Sequence, residues 1–175
     1  MVNHHNHPDP AVAELISQSS NLFGRLFEEI QAGPESASAD APPAPELAYD
    51  PLAALAIVEQ LCEQEDWRNA LPVASHLFVR QSQNPRVAYL LASCLQRLGQ
   101  NAMALSLYVH CTQLEDEAPT PGPLFRIGEC LAALERNSEA LDAFDASIEL
   151  ARLDVGHSDI LVIASEKADA LRALR

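Results

Sequence analysis

An Ala-Leu pair ends three similar segments, Trp67-Arg68-Asn69-Ala70-Leu71, Asn101-Ala102-Met103-Ala104-Leu105 and Asn137-Ser138-Glu139-Ala140-Leu141. Counted from Ala70 to Ala104 and on to Ala140, the pair recurs after 34 and then 36 residues. This period is typical of stacked helical hairpins, each too small to bury its apolar face alone. We therefore predict an all-α fold built from three such hairpins, and stacks of this kind usually bind other proteins.

The residues upstream of each pair form an apolar face with a spacing of three, one and three. They are Ala54, Ile57, Val58 and Leu61; Ala88, Leu91, Ala92 and Leu95; and Leu124, Ile127, Gly128 and Leu131. At about 100° per residue, each set lies on one side of a helix. Four residues after each Ala of the pair stand Ala74, Tyr108 and Phe144. Together these features form the tetratricopeptide pattern, which covers residues 51 to 153.

Composition divides the chain into three parts. We predict an N-terminal helical arm (1–33), a Pro-rich tether (34–50) and a tetratricopeptide domain (51–175) that forms a short superhelix. Residues 158 to 174 should form a C-terminal capping helix with a polar outer face. Asn84-Pro85 should begin the second hairpin, and Gly99 should end its first helix. With Asn69 as a helix cap, Pro72 would fall in a first turn, where a missing N–H costs little.

The arm carries an apolar stripe that is too extensive to remain in water on a lone helix. Its residues are Leu22, Phe23, Leu26, Phe27 and Ile30. We expect the stripe to be buried either against the first hairpin or in a homodimer. The tether segment Pro45-Glu46-Leu47-Ala48-Tyr49-Asp50-Pro51 is expected to be a plain linker. The alternative is that it docks transiently in a groove of its own or a neighbouring copy.

The charge of the chain limits its partners. With 11 basic and 25 acidic residues the net charge is −14, which argues against nucleic acid and anionic membrane surfaces. A basic or amphipathic polypeptide fits this charge better. No run approaches the roughly 20 apolar residues of a membrane span, and no signal-peptide pattern stands at the N-terminus. We expect a cytosolic chain with no membrane insertion.

The sequence shows no pattern of an enzyme. It lacks the G-x-x-x-x-G-K, G-x-S-x-G and H-E-x-x-H motifs, so we predict no catalytic residues, no cofactor and no enzymatic activity. The four cysteines lack C-x-x-C spacing and are expected to be packing residues. His4, His5 and His7 are expected to belong to a disordered polar tail, so no metal site is predicted.

The face of each first helix that points away from the packing set is the candidate binding surface. It carries apolar groups with polar groups between them, the composition of a peptide site. We predict a peptide-binding groove formed by Leu52, Leu55, Glu59, Arg86, Tyr89, Ser93, Gln96, Phe125 and Glu129. The alternatives are that Leu52 and Leu55 pack on the arm, that Tyr89 and Phe125 wedge between repeats, and that both glutamates are solvated charges.

Two stretches resemble a particular family. Pro-Leu-Phe-Arg-Ile-Gly-Glu-Cys-Leu (123–131) followed by Glu-Ala-Leu-Asp-Ala-Phe (139–144) is similar to class II chaperones of type III secretion. Ala-Ser-Cys-Leu-Gln-Arg-Leu-Gly-Gln (92–100) with Ala-Leu-Ser-Leu-Tyr (104–108) is similar to the same family. The long Pro-rich tether departs from it.

The resemblance implies a cytosolic chaperone that is not an enzyme. Such a protein would bind an extended segment of a secreted, hydrophobic translocator in its concave groove and keep it soluble and competent for export. The groove residues would do this by position, and the arm would support a homodimer. The alternatives are a needle-subunit chaperone of the same system, which captures a helix, and a general tetratricopeptide adaptor.

Overall fold

The computed structural model describes residues 50–115 and 119–174, and in this part of the chain all regular structure is helical. The helices are α1 (Pro51–Glu63), α2 (Trp67–Arg80), α3 (Pro85–Arg97), α4 (Asn101–Leu114), α5 (Pro121–Ala133), α6 (Asn137–Ala151) and α7 (Ser158–Arg172), with a 3-10 turn at Val155–His157 before α7. None of the helices described here is long and apolar enough to cross a membrane. The predicted all-α fold with three hairpins and a final helix is confirmed.

The chain divides into two compact units, Met1–Arg80 and Gln81–Arg175. The described part of the first unit is the α1–α2 hairpin. The second unit contains the α3–α4 and α5–α6 hairpins, and α7 packs against α6 and also contacts α5. The predicted arm with its apolar stripe, and all of the tether except Asp50, lie outside the described residues.

Each hairpin begins with a proline at the first helical position. Pro51, Pro85 and Pro121 stand there, where the absent N–H would have no helical acceptor. The side chains of Asp50 and Asn84 accept from the backbone N–H two residues on, at 2.9 and 3.1 Å. The prediction that Asn84-Pro85 begins the second hairpin is therefore confirmed.

The turn inside each hairpin uses one left-handed residue. Gly99 has φ +81°, and Glu65 and Glu135 hold the same place in the other hairpins with φ 57° and 60°. At Gly99 the backbone N–H bonds to the Gln96 carbonyl at 3.0 Å, which closes the helix as predicted. Glutamate adopts this conformation only against a steric penalty that glycine avoids.

The cores of the hairpins pair small residues with large ones. Ala70, Ala104 and Ala140 are fully buried, as are the Tyr108 and Phe144 rings. A Cβ placed on Gly128 would lie only 2.6 Å from Cε1 of Phe144, so the ring occupies the space that glycine leaves. The predicted apolar faces thus form the core, although Ile57 and Leu124 are only half-buried. Burial of one aromatic ring contributes about 2–3 kcal/mol.

Two buried donors tie the second helix of a hairpin to the start of its first helix. The Cys111 thiol donates to the Pro85 carbonyl at 3.4 Å, and the Ser147 hydroxyl donates to the Pro121 carbonyl at 2.9 Å. Burial, and next the nearby Glu115 carboxylate, raise the pKa of Cys111 to about 12, so the thiol remains protonated. Cys94 and Cys130 are also buried, in agreement with packing roles.

Two sequence expectations are wrong. Asn69 does not cap a helix, because α2 begins at Trp67 and the Asp66 carboxylate accepts from the Asn69 amide at 2.8 Å. Pro72 therefore lies inside α2, where it is buried. The outer face of α7 is not uniformly polar: α7 packs through Ala164 and Ala168, which leaves Val162 and Ile163 exposed by 56% and 45%.

Candidate peptide-binding surface

The predicted groove residues are divided between the two units. Leu52, Leu55 and Glu59 lie on α1 of the first unit, where Leu52 is 77% exposed and the other two are half-buried. The remaining six lie in the second unit. There Arg86 is exposed on the first turn of α3, and Phe125 is the one member of this set that is buried.

Polar side chains of three helices meet on one side of the second unit. We call this the α3–α5–α7 surface and define it by Tyr89, Ser93 and Gln96 of α3, Arg126 and Glu129 of α5, and Lys167 of α7. Four of the predicted residues are thereby brought into one network. Arg126 and Lys167 were not among the predicted residues.

Glu129 is the centre of this network. Its Oε2 accepts from Arg126 Nη1 at 2.7 Å and from Gln96 Nε2 at 3.1 Å, while Oε1 lies 3.7 Å from Lys167 Nζ. The carboxylate side chain is only 20% exposed. Because a half-buried charge needs such partners, Glu129 is an organising group and not a solvated charge.

The charge of Glu129 fixes the direction of the neighbouring hydrogen bonds. Gln96 must turn its NH₂ toward the carboxylate, so its Oε1 accepts from the Tyr108 hydroxyl at 2.9 Å. Tyr108 then uses its oxygen to accept from Ser93 at 3.0 Å. Burial raises the pKa of Tyr108 well above 10, which keeps the phenol protonated as a donor. The bonds therefore run from Ser93 toward Glu129.

Tyr89 forms the other end of the network. Its hydroxyl oxygen accepts from Arg126 Nε at 3.3 Å, and its ring packs edge-on against Tyr108 with centroids 5.4 Å apart. A Cβ on Gly122, at the start of α5, would be in ordinary contact with the Tyr89 ring at 3.9 Å. Tyr89 is half-buried, so the ring is held in place while part of it faces solvent.

Phe125 differs from the expectation of an exposed groove residue. It is only 8% exposed, and its ring packs on Phe144 with centroids 5.7 Å apart. The Arg126 guanidinium lies 5.6 Å from the centroid of the same ring. The physical reason is that Gly128 has no side chain, so the Phe144 ring lies close to the α5 backbone, where Phe125 packs against it.

Sequence reasoning missed Arg126, Lys167 and Tyr108 at this surface. A signal for Arg126 existed, since it stands three residues before Glu129 on one helix, the spacing of an ion pair. The sequence analysis assigned Tyr108 only to the repeat pattern; its ring is buried, but its hydroxyl reaches the network from α4. A helical wheel of α3 and α5 alone does not include it.

Comparison with known proteins supports the fold. Residues 63–147 match the family model described as anaphase-promoting complex, cyclosome, subunit 3. No curated protein matches the sequence.

Solved structures of translocator chaperones are similar to this chain. PcrH of Pseudomonas aeruginosa, in complex with the chaperone binding region of PopD, is 23% identical with a TM-score of 0.67, covering 73% of this chain and 96% of its own. The type III secretion chaperone SycD of Yersinia enterocolitica, in complex with a peptide of the translocator YopD, is 19% identical with a TM-score of 0.65, covering 70% and 92%.

The fold is shared with a protein of another kind. The TPR2B domain of yeast Sti1, solved with a pHsp70 partner, is 15% identical with a TM-score of 0.64, covering 71% of this chain and 98% of its own. At these identities the similarities establish a tetratricopeptide-like helical fold. The class of partner must be argued from the surface itself.

Proposed function

We propose that this protein is a cytosolic chaperone of a type III secretion system. It binds an extended segment of a hydrophobic translocator on the α3–α5–α7 surface and keeps that client soluble before export. The activity is binding, with no catalytic step. Support comes from the similar fold of PcrH and SycD, both solved with translocator segments, and from the motifs at residues 92–108 and 123–144.

The pre-ordered network of the α3–α5–α7 surface is the observation that carries this proposal. Its hydroxyl and amide groups are already positioned by Glu129 and Tyr108, so little side-chain entropy is lost when a ligand binds. A partly exposed tyrosine ring beside polar groups provides an apolar contact together with backbone hydrogen bonds. An extended peptide presents both kinds of group, whereas the backbone of a helix is satisfied internally.

The arm is proposed to form a homodimer through Leu22, Phe23, Leu26, Phe27 and Ile30. Support comes from the apolar stripe in the sequence, and SycD has been solved as an alternative dimer. Removing residues 1–33 should convert a dimer to a monomer in analytical ultracentrifugation. A truncated protein that still sediments as a dimer would contradict the assignment to the arm.

The proposed function is tested by site-specific photo-cross-linking in cells that naturally produce the chain. A benzophenone side chain replaces Ser93 on α3, and the same group at Ser106, exposed on α4, is the matched control. We expect position 93 to cross-link to a short segment of a secreted protein with apolar, membrane-active stretches. Position 106 should give no such product.

The identity and conformation of the captured segment separate the alternatives. A small helical needle subunit at position 93 would support the needle-chaperone function. A folded cytosolic protein would support a general adaptor. Either product, or equal cross-linking from positions 93 and 106, would contradict the translocator chaperone.

A further inference from the structure

The local charge of the α3–α5–α7 surface is opposite to that of the chain. Two cations, Arg126 and Lys167, surround one carboxylate, Glu129. The chain as a whole carries −14. These three groups therefore sum to a positive charge on a protein that is acidic as a whole.

The network also leaves donors facing outward. Tyr89 uses its oxygen to accept from Arg126, so its O–H proton is available to donate. Lys167 has three N–H groups, is half-exposed, and lies 3.7 Å from Glu129 Oε1, beyond a short hydrogen bond. Donors combined with a net positive charge favour an anionic acceptor.

We propose that this surface recognises a carboxylate on the client, an Asp or Glu side chain within or beside the extended apolar segment. The inference rests on the proposed function and adds the chemical class of the segment. It reverses the expectation from net charge that the partner is basic. The rest of the protein is acidic and repels carboxylates, so a client carboxylate is favoured only beside Lys167, Arg126 and Tyr89. The surface therefore selects clients that carry an acidic residue at this position of the bound segment.

The test uses a pair of matched synthetic peptides and the full-length protein. The acidic probe is Pro-Glu-Leu-Ala-Tyr-Asp-Pro, the sequence of residues 45–51, which carries two carboxylates beside Leu47 and Tyr49 in a short segment that its prolines keep extended. The neutral probe has Gln and Asn in place of Glu46 and Asp50. Blocked termini leave the two side chains as the only difference. If the chain's own segment competes, it lowers both apparent affinities equally and leaves their ratio unchanged.

We expect the acidic probe to bind roughly fivefold tighter than the neutral probe in fluorescence anisotropy at low salt, with the ratio falling toward one at high salt. Lys167→Gln should reduce the low-salt ratio to about half or less. The control Arg152→Gln removes an exposed cation that pairs with Glu149 at the end of α6, and it should leave the ratio unchanged.

Three outcomes would overturn the inference. Equal affinities of the two probes for the wild-type protein would exclude carboxylate recognition while leaving peptide binding intact. A ratio that Lys167→Gln does not change would remove the recognition from this surface. If neither probe binds at millimolar concentration, the inference fails, and the cross-linking at Ser93 then decides separately whether the proposed function survives.

Discussion

Replacing Gly128 by alanine tests the packing that places Phe144 and Phe125. The new Cβ would lie 2.6, 2.7 and 3.0 Å from three atoms of the Phe144 ring, which is fully buried and cannot move freely. Alanine gains about 1 kcal/mol of helix propensity over glycine. Overpacking of a buried ring costs about 1–3 kcal/mol, and contact with three ring atoms favours the upper end. We therefore expect a net loss of about 1–2 kcal/mol in unfolding free energy.

Urea unfolding followed by far-UV circular dichroism measures this loss. In a domain of this size it corresponds to a fall of roughly 3–10 °C in thermal midpoint. Gly122→Ala on the same helix is the matched control, because its Cβ has only ordinary contacts and the change should be neutral or stabilising. If Gly128→Ala is as stable as Gly122→Ala, the close packing of glycine and ring is refuted.

Three further predictions concern the turns, the thiols and one histidine. Glu135→Gly should raise the unfolding free energy by about 0.5–1 kcal/mol because glycine adopts the left-handed conformation without the steric penalty of glutamate. Gly99→Ala should lower it by about 1 kcal/mol for the same reason. Urea unfolding in which Glu135→Gly is destabilised and Gly99→Ala is stabilised would contradict this prediction. Iodoacetamide should label native protein at half-buried Cys62 well before buried Cys111, because burial raises the pKa of Cys111 to about 12. Peptide mapping by mass spectrometry measures the two labelling rates, and equal rates would contradict this prediction. Burial and then an arginine one turn on lower the pKa of His76 below 6.5. Its contribution to stability is therefore present above about pH 6.5 and is lost as pH falls through the folded pKa. His76→Gln should make the urea midpoint fall less steeply as pH drops below 6.5. A pH dependence of the midpoint equal to that of wild type would contradict this prediction.

The repeat pattern allowed most of the fold to be predicted from the sequence. Small residues such as Ala104 recur at positions where two helices touch. The spacing of these residues along the sequence therefore predicts the helix contacts directly. The start of the second hairpin at Asn84-Pro85 and the end of its first helix at Gly99 could be predicted, because these residue types favour particular backbone conformations. The prediction for Asn69 was wrong because the Asp66 carboxylate, three residues earlier, accepts from the Asn69 backbone N–H at 3.4 Å and from its side-chain amide at 2.8 Å.

The site could be predicted only in part, because its details depend on contacts between helices. Ser93, Gln96 and Glu129 were selected by their place on a helical face. Phe125 is buried because Phe144 lies close to Gly128 and Phe125 packs on its ring. The spacing of residues along the sequence does not predict such a contact between two helices. The Tyr108 hydroxyl reaches the same surface from a different helix, so a wheel drawn for each helix separately omits it.

The most direct test of the central claim measures the affinity of the client segment identified by cross-linking. Full-length wild type, Tyr89→Ala and the α4 control Val109→Ala are compared by isothermal titration calorimetry, after circular dichroism confirms that each is folded at the assay temperature. Tyr89 is a partly exposed aromatic residue of the α3–α5–α7 surface, so its loss should cost at least about 2 kcal/mol, or roughly 30-fold in Kd. Val109→Ala should remain within about twofold of wild type. Equal affinities for all three proteins would contradict binding at this surface.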